Sequence, residues 1–150
     1  VGEFSEFVRP LKKPILTDYC KDLTSITQDD VDNADYFYEV WKRFCDWIES
    51  YDNNAIFCSW GYYDKNQFRN DCNLHGLPYN YPWFNHHISL KHQYVQITGR
   101  RKCGMVAALR SLKIPLAGNH HRGIDDARNI AKILVHRDLF SKWDLVKKEK

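Results

Sequence analysis

A histidine and a pair of aspartates stand close together near residue 125, and their spacing could support hydrolytic chemistry. His121 lies just before a segment with helical periodicity, and Asp125 and Asp126 fall in the first turn of that segment. One carboxylate there can hold a divalent cation while Asp125 faces away, and the preceding histidine could lean over the same point. Such a histidine suits the role of general base, because its unperturbed pKa is about 6.5. Acids at a helix N-terminus also stabilise the helix without any function, so plain capping is the alternative.

Asp64 is a second candidate, because it closely follows a short apolar run and a glycine. The run from Ala55 to Trp60 is typical of a strand buried on both faces, and Gly61 interrupts it. A carboxylate at the carboxyl end of a central strand is well placed to line the crevice of an α/β sheet. The alternative is that Asp64 only caps the next helix.

The elements that must position these residues alternate between strands and helices. Thr27 has the sequence context of a helix N-cap, and Gly76 has that of a C-cap. Hydrophobic periodicity predicts the following elements: strands over 4–8, 55–60 and, weakly, 87–91; helices over 36–50, 64–75, 104–112 and 123–137; and a frayed helix in the tail from 138 to 150. The sheet is therefore expected to be small, and the whole chain, residues 1–150, is expected to be one domain.

Composition excludes several classes of protein. The 150 residues are 43% hydrophobic and 27% charged, which is ordinary for a globular chain and not for a collagen-like or disordered one. No apolar run is long enough to span a membrane. The five cysteines are odd in number and widely spaced, so the sequence favours free thiols in a reducing, intracellular compartment, and it argues against a disulfide scaffold or a zinc knuckle.

Charge is distributed unevenly along the chain. Residues 1–98 carry 9 basic and 14 acidic side chains, whereas residues 99–150 carry 13 basic and 5 acidic ones. A basic C-terminal third, including the blocks 100–102 and 147–150, could contact a polyanion. A solvated surface with a lysine-rich tail explains the same pattern.

Three regions in the correct order give the sequence a family resemblance. The segment from His121 to Ala131 resembles the third motif of DEDDh 3′→5′ exonucleases, His-x4-Asp, and Ser59 to Asp64 resembles their second motif. The N-terminal segment from Phe4 to Pro10, which ends in Phe-Val-Arg-Pro, and the phrase Leu-Thr-x-Ile-Thr-Gln, from Leu23 to Gln28, resemble the region between the first and second motifs. The wording around Asp126 is most similar to the subgroup of histone-mRNA 3′-end, enhancer-of-RNA-interference and KapD-like exonucleases.

This resemblance implies a fold and an activity. The implied fold is α/β, with a ribonuclease H-like mixed sheet flanked by helices. The implied activity is 3′→5′ hydrolysis of single-stranded ends, with RNA favoured, by four carboxylates that hold two Mg²⁺ or Mn²⁺ ions. Carried over to this chain, Asp64 and Asp126 become metal ligands and His121 becomes the general base. Tyr63 matches a position where some relatives place an aromatic residue near the terminal nucleotide, but ordinary packing is the favoured interpretation of Tyr63.

The chain departs from the family pattern at the first motif. An Asp-x-Glu on an apolar strand is expected upstream of Phe4, and the sequence contains none. We therefore expect the N-terminal strand and two metal carboxylates to be missing, with weak or single metal binding and little turnover by these residues alone. Either the chain is a piece of a longer exonuclease or it is a degenerate relative that binds RNA or protein. An intracellular location, cytoplasmic or nuclear, is expected with both.

Overall fold

The fold combines helices with a small parallel sheet. A computed structural model describes residues 2–51 and 55–145. In chain order the elements are α1 (Asp18–Thr24), α2 (Gln28–Asp32), α3 (Phe37–Glu49), β1 (Cys58–Ser59), α4 (Tyr63–His75), α5 (Pro82–Asn85), β2 (Ile88–Ser89), α6 (Leu90–Thr98), α7 (Met105–Ser111), α8 (Gly123–Leu134) and a 3-10 turn at Phe140–Lys142. The predicted α/β class is confirmed.

The sheet consists of β1 and β2, which pair in parallel. Cys58 lies opposite Ile88, and Ser59 lies opposite Ser89. The ladder is continued at one end by the Ile88 amide, which donates to the Phe57 carbonyl at 2.8 Å. Because parallel strands require a crossover connection, α4 and α5 span the distance between them.

Local sequence signals explain where several helices begin and end. Thr27 caps α2 as predicted, and it forms a capping box with Asp30 in which each residue accepts from the other's backbone amide. Gly76 ends α4 with a left-handed φ of 64°, which a glycine adopts without steric cost. The predicted helix over 36–50 is confirmed as α3, and its apolar face is buried.

Two hydrophobic clusters enclose the sheet. The first is aromatic and joins α3, α4 and α5; its buried members are Phe37, Trp41, Cys45, Cys72, Trp83 and Phe84. The second joins α6, α7, α8 and the segment after α8; its buried members are Leu90, Tyr94, Met105, Ala108, Leu109, Ile133, Leu139 and Trp143. Phe57 packs against the first cluster and Cys58 against the second, so successive residues of this strand segment face opposite cores.

The predicted N-terminal strand is wrong for the described residues. The segment is extended, but its ladder pairing is limited to one isolated parallel bridge between Arg9 and Tyr36. Phe4 instead packs its ring on Phe44 and Trp47 of α3. An extended segment becomes a strand only when a partner strand lies beside it, and no strand of the described residues lies beside this one.

Other expected boundaries also change. The strand predicted over 55–60 shortens to β1, and the one over 87–91 shortens to β2, because α6 begins at Leu90. Leu90 and Tyr94, four residues apart, point together into the second cluster and are fully buried, which favours a helix there. Helix α1 was not predicted.

Between Asp138 and Leu145 the tail is not the frayed helix that the sequence predicted. The segment turns once as a 3-10 helix and then extends, and the Trp143 indole donates to the Leu134 carbonyl at 2.7 Å. Residues 146–150, which include the basic block 147–150, lie outside the described part of the chain. Within that part no helix has the length and apolarity needed to cross a bilayer. All five cysteines are free thiols, as predicted.

Candidate active site

The start of α8 brings His120, His121 and Asp126 together. The His120 ring contacts the Asp126 carboxylate through Nδ1 at 2.9 Å, and the His121 amide donates to the same carboxylate at 3.1 Å. The two imidazole rings stack with centroids 3.8 Å apart. His121 has a φ of 72°, a left-handed backbone conformation that lets the chain turn back over the helix N-terminus. The predicted pair His121 and Asp126 therefore lies in one cluster.

Asp125 faces away from this cluster, as the sequence predicted. Its carboxylate accepts from the Asn119 amide at 3.0 Å and pairs with Arg128 at 3.1 Å. These donors lower the pKa of Asp125, the Asn119 hydrogen bond most of all. A Cβ at Gly118 would lie 2.2 Å from the Asp125 carboxyl carbon, so the close approach requires a glycine there. Asp125 thus closes the loop before α8, and Asp126 is left for chemistry.

The start of α4 carries Asp64 at its second residue. Although Asp64 remains exposed to solvent, protein atoms crowded around its carboxyl group raise its pKa, and the negative charge of Asp126 raises it further. Its own backbone amide and the Ser59 hydroxyl oppose the shift by hydrogen bonding. The N-cap position belongs to Tyr62, which makes no side-chain cap. The two predicted metal ligands therefore come from separate helix starts, and the charge of Asp126 acts on the Asp64 carboxyl group. Asp126 shares a group of ligand atoms within 4.8 Å with His120 and His121, and Asp64 is outside that group.

Ser59 and His87 form a polar contact behind Asp64 that the sequence analysis missed. The Ser59 hydroxyl lies 2.7 Å from His87 Nε2 and 3.0 Å from the Gly61 carbonyl, and Ser59 is 4% exposed. Burial lowers the pKa of His87 to about 4, with help from the positive charge of Lys65, so the ring is neutral at pH 7.

The surroundings of the two ring nitrogens of His87 indicate which of them carries the proton. His87 Nδ1 is buried without a partner among the described residues. A buried unpaired acceptor costs less than a buried unpaired N–H, so the proton belongs on Nε2 and is donated to the Ser59 oxygen. Ser59 is then free to donate toward Gly61 or Asp64. No spacing rule links Ser59 to His87, because only the pairing of β1 with β2 brings them together.

Tyr63 is on the surface at the first residue of α4, with 76% of its area exposed. Ordinary packing, which the sequence favoured for this residue, is not observed among the described residues. The basic block 100–102 is likewise exposed, in the loop between α6 and α7.

The residues of the site suit a divalent cation. Asp64 and Asp126 repel each other, and a cation between them would remove that cost. Hard ions such as Mg²⁺ and Mn²⁺ prefer carboxylate oxygens. Asp64, Asp126 and the adjacent His121 can therefore supply two metal ligands and a proton acceptor.

Comparison with known proteins extends over nearly the whole chain. Residues 1–134 match the family model described as RNase_T, exonuclease. The chain is 33% identical over 139 residues to human 3′-5′ exoribonuclease 1, which covers 88% of this chain and 40% of that protein. It is 30% identical over 149 residues to zebrafish ERI1 exoribonuclease 2, and this match covers 87% of this chain and 27% of that protein. The chain thus spans about two fifths or less of the length of these relatives.

Solved structures show the same fold. The nuclease domain of 3′hExo, a DEDDh family member bound to rAMP, superposes with a TM-score of 0.85 at 33% identity and covers 98% of this chain and 76% of that one. A second structure is described as 3′-end specific recognition of histone mRNA stem-loop by 3′-exonuclease. It superposes with a TM-score of 0.81 at 31% identity and covers 88% of this chain and 48% of that one. These likenesses agree with the predicted ribonuclease H-like architecture.

Proposed function

Because the chain belongs to the RNase_T exonuclease family, we propose that it is the catalytic part of a metal-dependent 3′→5′ exonuclease that releases nucleoside monophosphates from single-stranded RNA ends. One observation supports this most strongly. Asp64 and Asp126, from two different helix starts, are close enough that the charge of one raises the pKa of the other, and His121 lies beside Asp126.

The proposed roles follow from the chemistry of each side chain. Asp64 and Asp126 would hold two Mg²⁺ or Mn²⁺ ions together with two further carboxylates. Bound metal ions in such a site lower the pKa of water and neutralise charge on the leaving oxygen. His121 takes the proton of the attacking water, since a neutral imidazole accepts a proton near pH 7. The Asp126 carboxylate accepts a hydrogen bond from the His121 amide and so fixes the backbone of the proposed general base.

RNA is favoured as the substrate because the similar proteins are named exoribonucleases, and because one similar structure is described with rAMP and another with a histone mRNA stem-loop. The exposed side chain of Tyr63 could stack on a terminal base. The basic block 100–102 could contact phosphates. We also propose an intracellular location, cytoplasmic or nuclear, supported by the five free thiols.

The described residues supply only two of the four carboxylates that the resemblance implies. The 150 residues by themselves are therefore expected to bind metal weakly and to turn over little. The second candidate function is a degenerate exonuclease fold that binds RNA or protein.

A nuclease assay distinguishes the two functions. The protein translated from its natural start codon is incubated with 5′-labelled single-stranded RNA and Mg²⁺. Asp126→Ala removes a proposed ligand, and Asp22→Ala, at an exposed position of α1, is the matched control. A 3′→5′ ladder that is lost only in Asp126→Ala supports the exonuclease. A folded protein that gives no ladder supports the binding module.

A further inference from the structure

We propose that His120, His121 and Asp126 form a binding site for a borderline transition-metal ion of the Zn²⁺ class, and that this ion inhibits the enzyme by occupying the general base. The inhibitory consequence rests on the proposed function, whereas the binding site does not. His120 has no part in the His-x4-Asp motif, which begins at His121, yet its ring contacts the Asp126 carboxylate.

The geometry of the three groups is close to that of a metal site. One ligand atom from each residue lies within 4.8 Å of the other two. A tetrahedral ion with bonds of about 2.0–2.1 Å requires ligand atoms about 3.4 Å apart. His120 Nδ1 and the Asp126 oxygen, now 2.9 Å apart, must therefore separate slightly, and any pair near the 4.8 Å limit must close by about 1 Å. The His120 side chain is 39% exposed and that of Asp126 25% exposed, which leaves room for these rotations.

The ligand chemistry selects against Mg²⁺ at this position. Two imidazole nitrogens and one carboxylate oxygen suit Zn²⁺, Co²⁺ or Ni²⁺, whereas Mg²⁺ prefers an all-oxygen shell. Three protein ligands with an open fourth position are common for Zn²⁺. The carboxylate pair Asp64 and Asp126 has the opposite preference. The start of α8 would therefore contribute to a Zn²⁺-class site and to a Mg²⁺ site, and Asp126 would be a ligand in both.

Occupation by Zn²⁺ would prevent catalysis for a chemical reason. An imidazole nitrogen that donates its lone pair to a metal ion can no longer accept a proton from water. The Asp126 oxygen bound to Zn²⁺ would also be withdrawn from the Mg²⁺ site. Zn²⁺ should thus compete with Mg²⁺ for Asp126 and should lower the Mg²⁺-dependent activity.

Cobalt absorption spectroscopy tests the site without RNA. The untagged 150-residue chain is titrated with Co²⁺ at pH 7.5, and the visible absorption of nitrogen-ligated Co²⁺ is recorded. The variants are His120→Asn, His120→Gln and His121→Asn, since Asn tolerates the left-handed backbone at residue 121. His86→Asn, at an exposed histidine after α5, is the control.

We expect one Co²⁺ per chain in wild type and in His86→Asn, displaced by equimolar Zn²⁺ but not by a hundredfold excess of Mg²⁺. Each His120 and His121 variant should weaken Co²⁺ binding at least tenfold. Absence of the band in wild type, or equal affinity in the His120 variants, would overturn the proposal. Failure of the nuclease assay would overturn the exonuclease and its inhibition, but it would leave this binding result unchanged.

Discussion

The start of α4 and the start of α8 each present one aspartate to the candidate site, but they hold it differently. Asp126 receives hydrogen bonds from the His121 amide and from the His120 ring. Asp64 receives support from its own amide and Ser59, and the crowding around its carboxyl group outweighs both. The α8 start is thus organised before any cation arrives, whereas the α4 start carries a charge that a cation would stabilise.

The largest effect is expected at the α8 start. In the protein translated from its natural start codon, His121→Asn should lower turnover about 10²–10⁴-fold, because it removes the general base. The Mn²⁺ affinity should change little, because Asp126 keeps its amide donor. Single-turnover RNA hydrolysis and Mn²⁺ titration measure the two quantities, with His86→Asn as the control. Full activity in His121→Asn would remove this residue from the mechanism.

A smaller effect is expected behind the α4 start. Ser59→Ala removes the hydroxyl that supports Asp64 and should weaken Mn²⁺ binding about 10–100-fold, the usual cost of losing a group that orients a ligand. Ser89 is the matched control, because it is the register partner of Ser59, is equally buried and contacts His92 at 2.6 Å. Calorimetry should show near wild-type affinity for Ser89→Ala. Equal losses in the two variants would indicate general damage to the sheet.

A further effect concerns substrate and not metal. Tyr63→Ala should raise KM for single-stranded RNA about tenfold and leave kcat within about twofold, because stacking on a base contributes about 1–3 kcal/mol. Tyr19→Ala is the control, since Tyr19 on α1 is 75% exposed and Tyr63 76%. If steady-state kinetics show the same KM for both variants, Tyr63 has no role at the terminal nucleotide.

The smallest effects are shifts in the stability of the metal-free chain. The folded pKa of Asp64 is raised above its ordinary value of 3.8, so its stabilising contribution is complete below that pH and is lost as pH rises through the folded pKa. The folded pKa of Asp125 is lowered, so its contribution is present above 3.8 and is lost as pH falls through the folded pKa. At pH 7, Asp64→Asn should raise the unfolding midpoint and Asp125→Asn should lower it.

Thermal unfolding followed by circular dichroism checks these signs, and each shift should stay within about 2 °C for exposed groups. As the pH falls toward 3.8, the gain from Asp64→Asn should narrow, whereas the loss from Asp125→Asn should persist. A loss of stability in Asp64→Asn at pH 7 would contradict the description of a crowded α4 start.

The α8 start could be predicted from sequence more fully than the α4 start. His121 lies beside Asp126, and Asp125 faces away from them. Both features depend only on residues within one loop and one helical turn. The capping box at Thr27 and the glycine at residue 76 are local in the same sense. Such signals need no knowledge of distant chain segments.

The parts that the sequence missed depend on long-range contacts. Ser59 and His87 meet only because β1 pairs with β2. The apolar run at residue 88 could continue as strand or turn into a helix, and the burial of Leu90 against α7 and α8 determines α6. The extended N-terminal segment lacks a strand beside it among the described residues, so its sequence pattern alone could not make it one.

We propose that the two helix starts share one hard-metal site, and a double-mutant cycle of Mn²⁺ affinity tests this directly. Electron paramagnetic resonance measures Mn²⁺ binding to the 150-residue chain as wild type, Asp64→Asn, Asp126→Asn and the double variant. We predict one weak Mn²⁺ per chain, lost in either single variant, with no further loss in the double variant. Additive losses from the two substitutions, or an Asp64→Asn variant that binds as wild type does, would show that the two carboxylates do not act on a common ion.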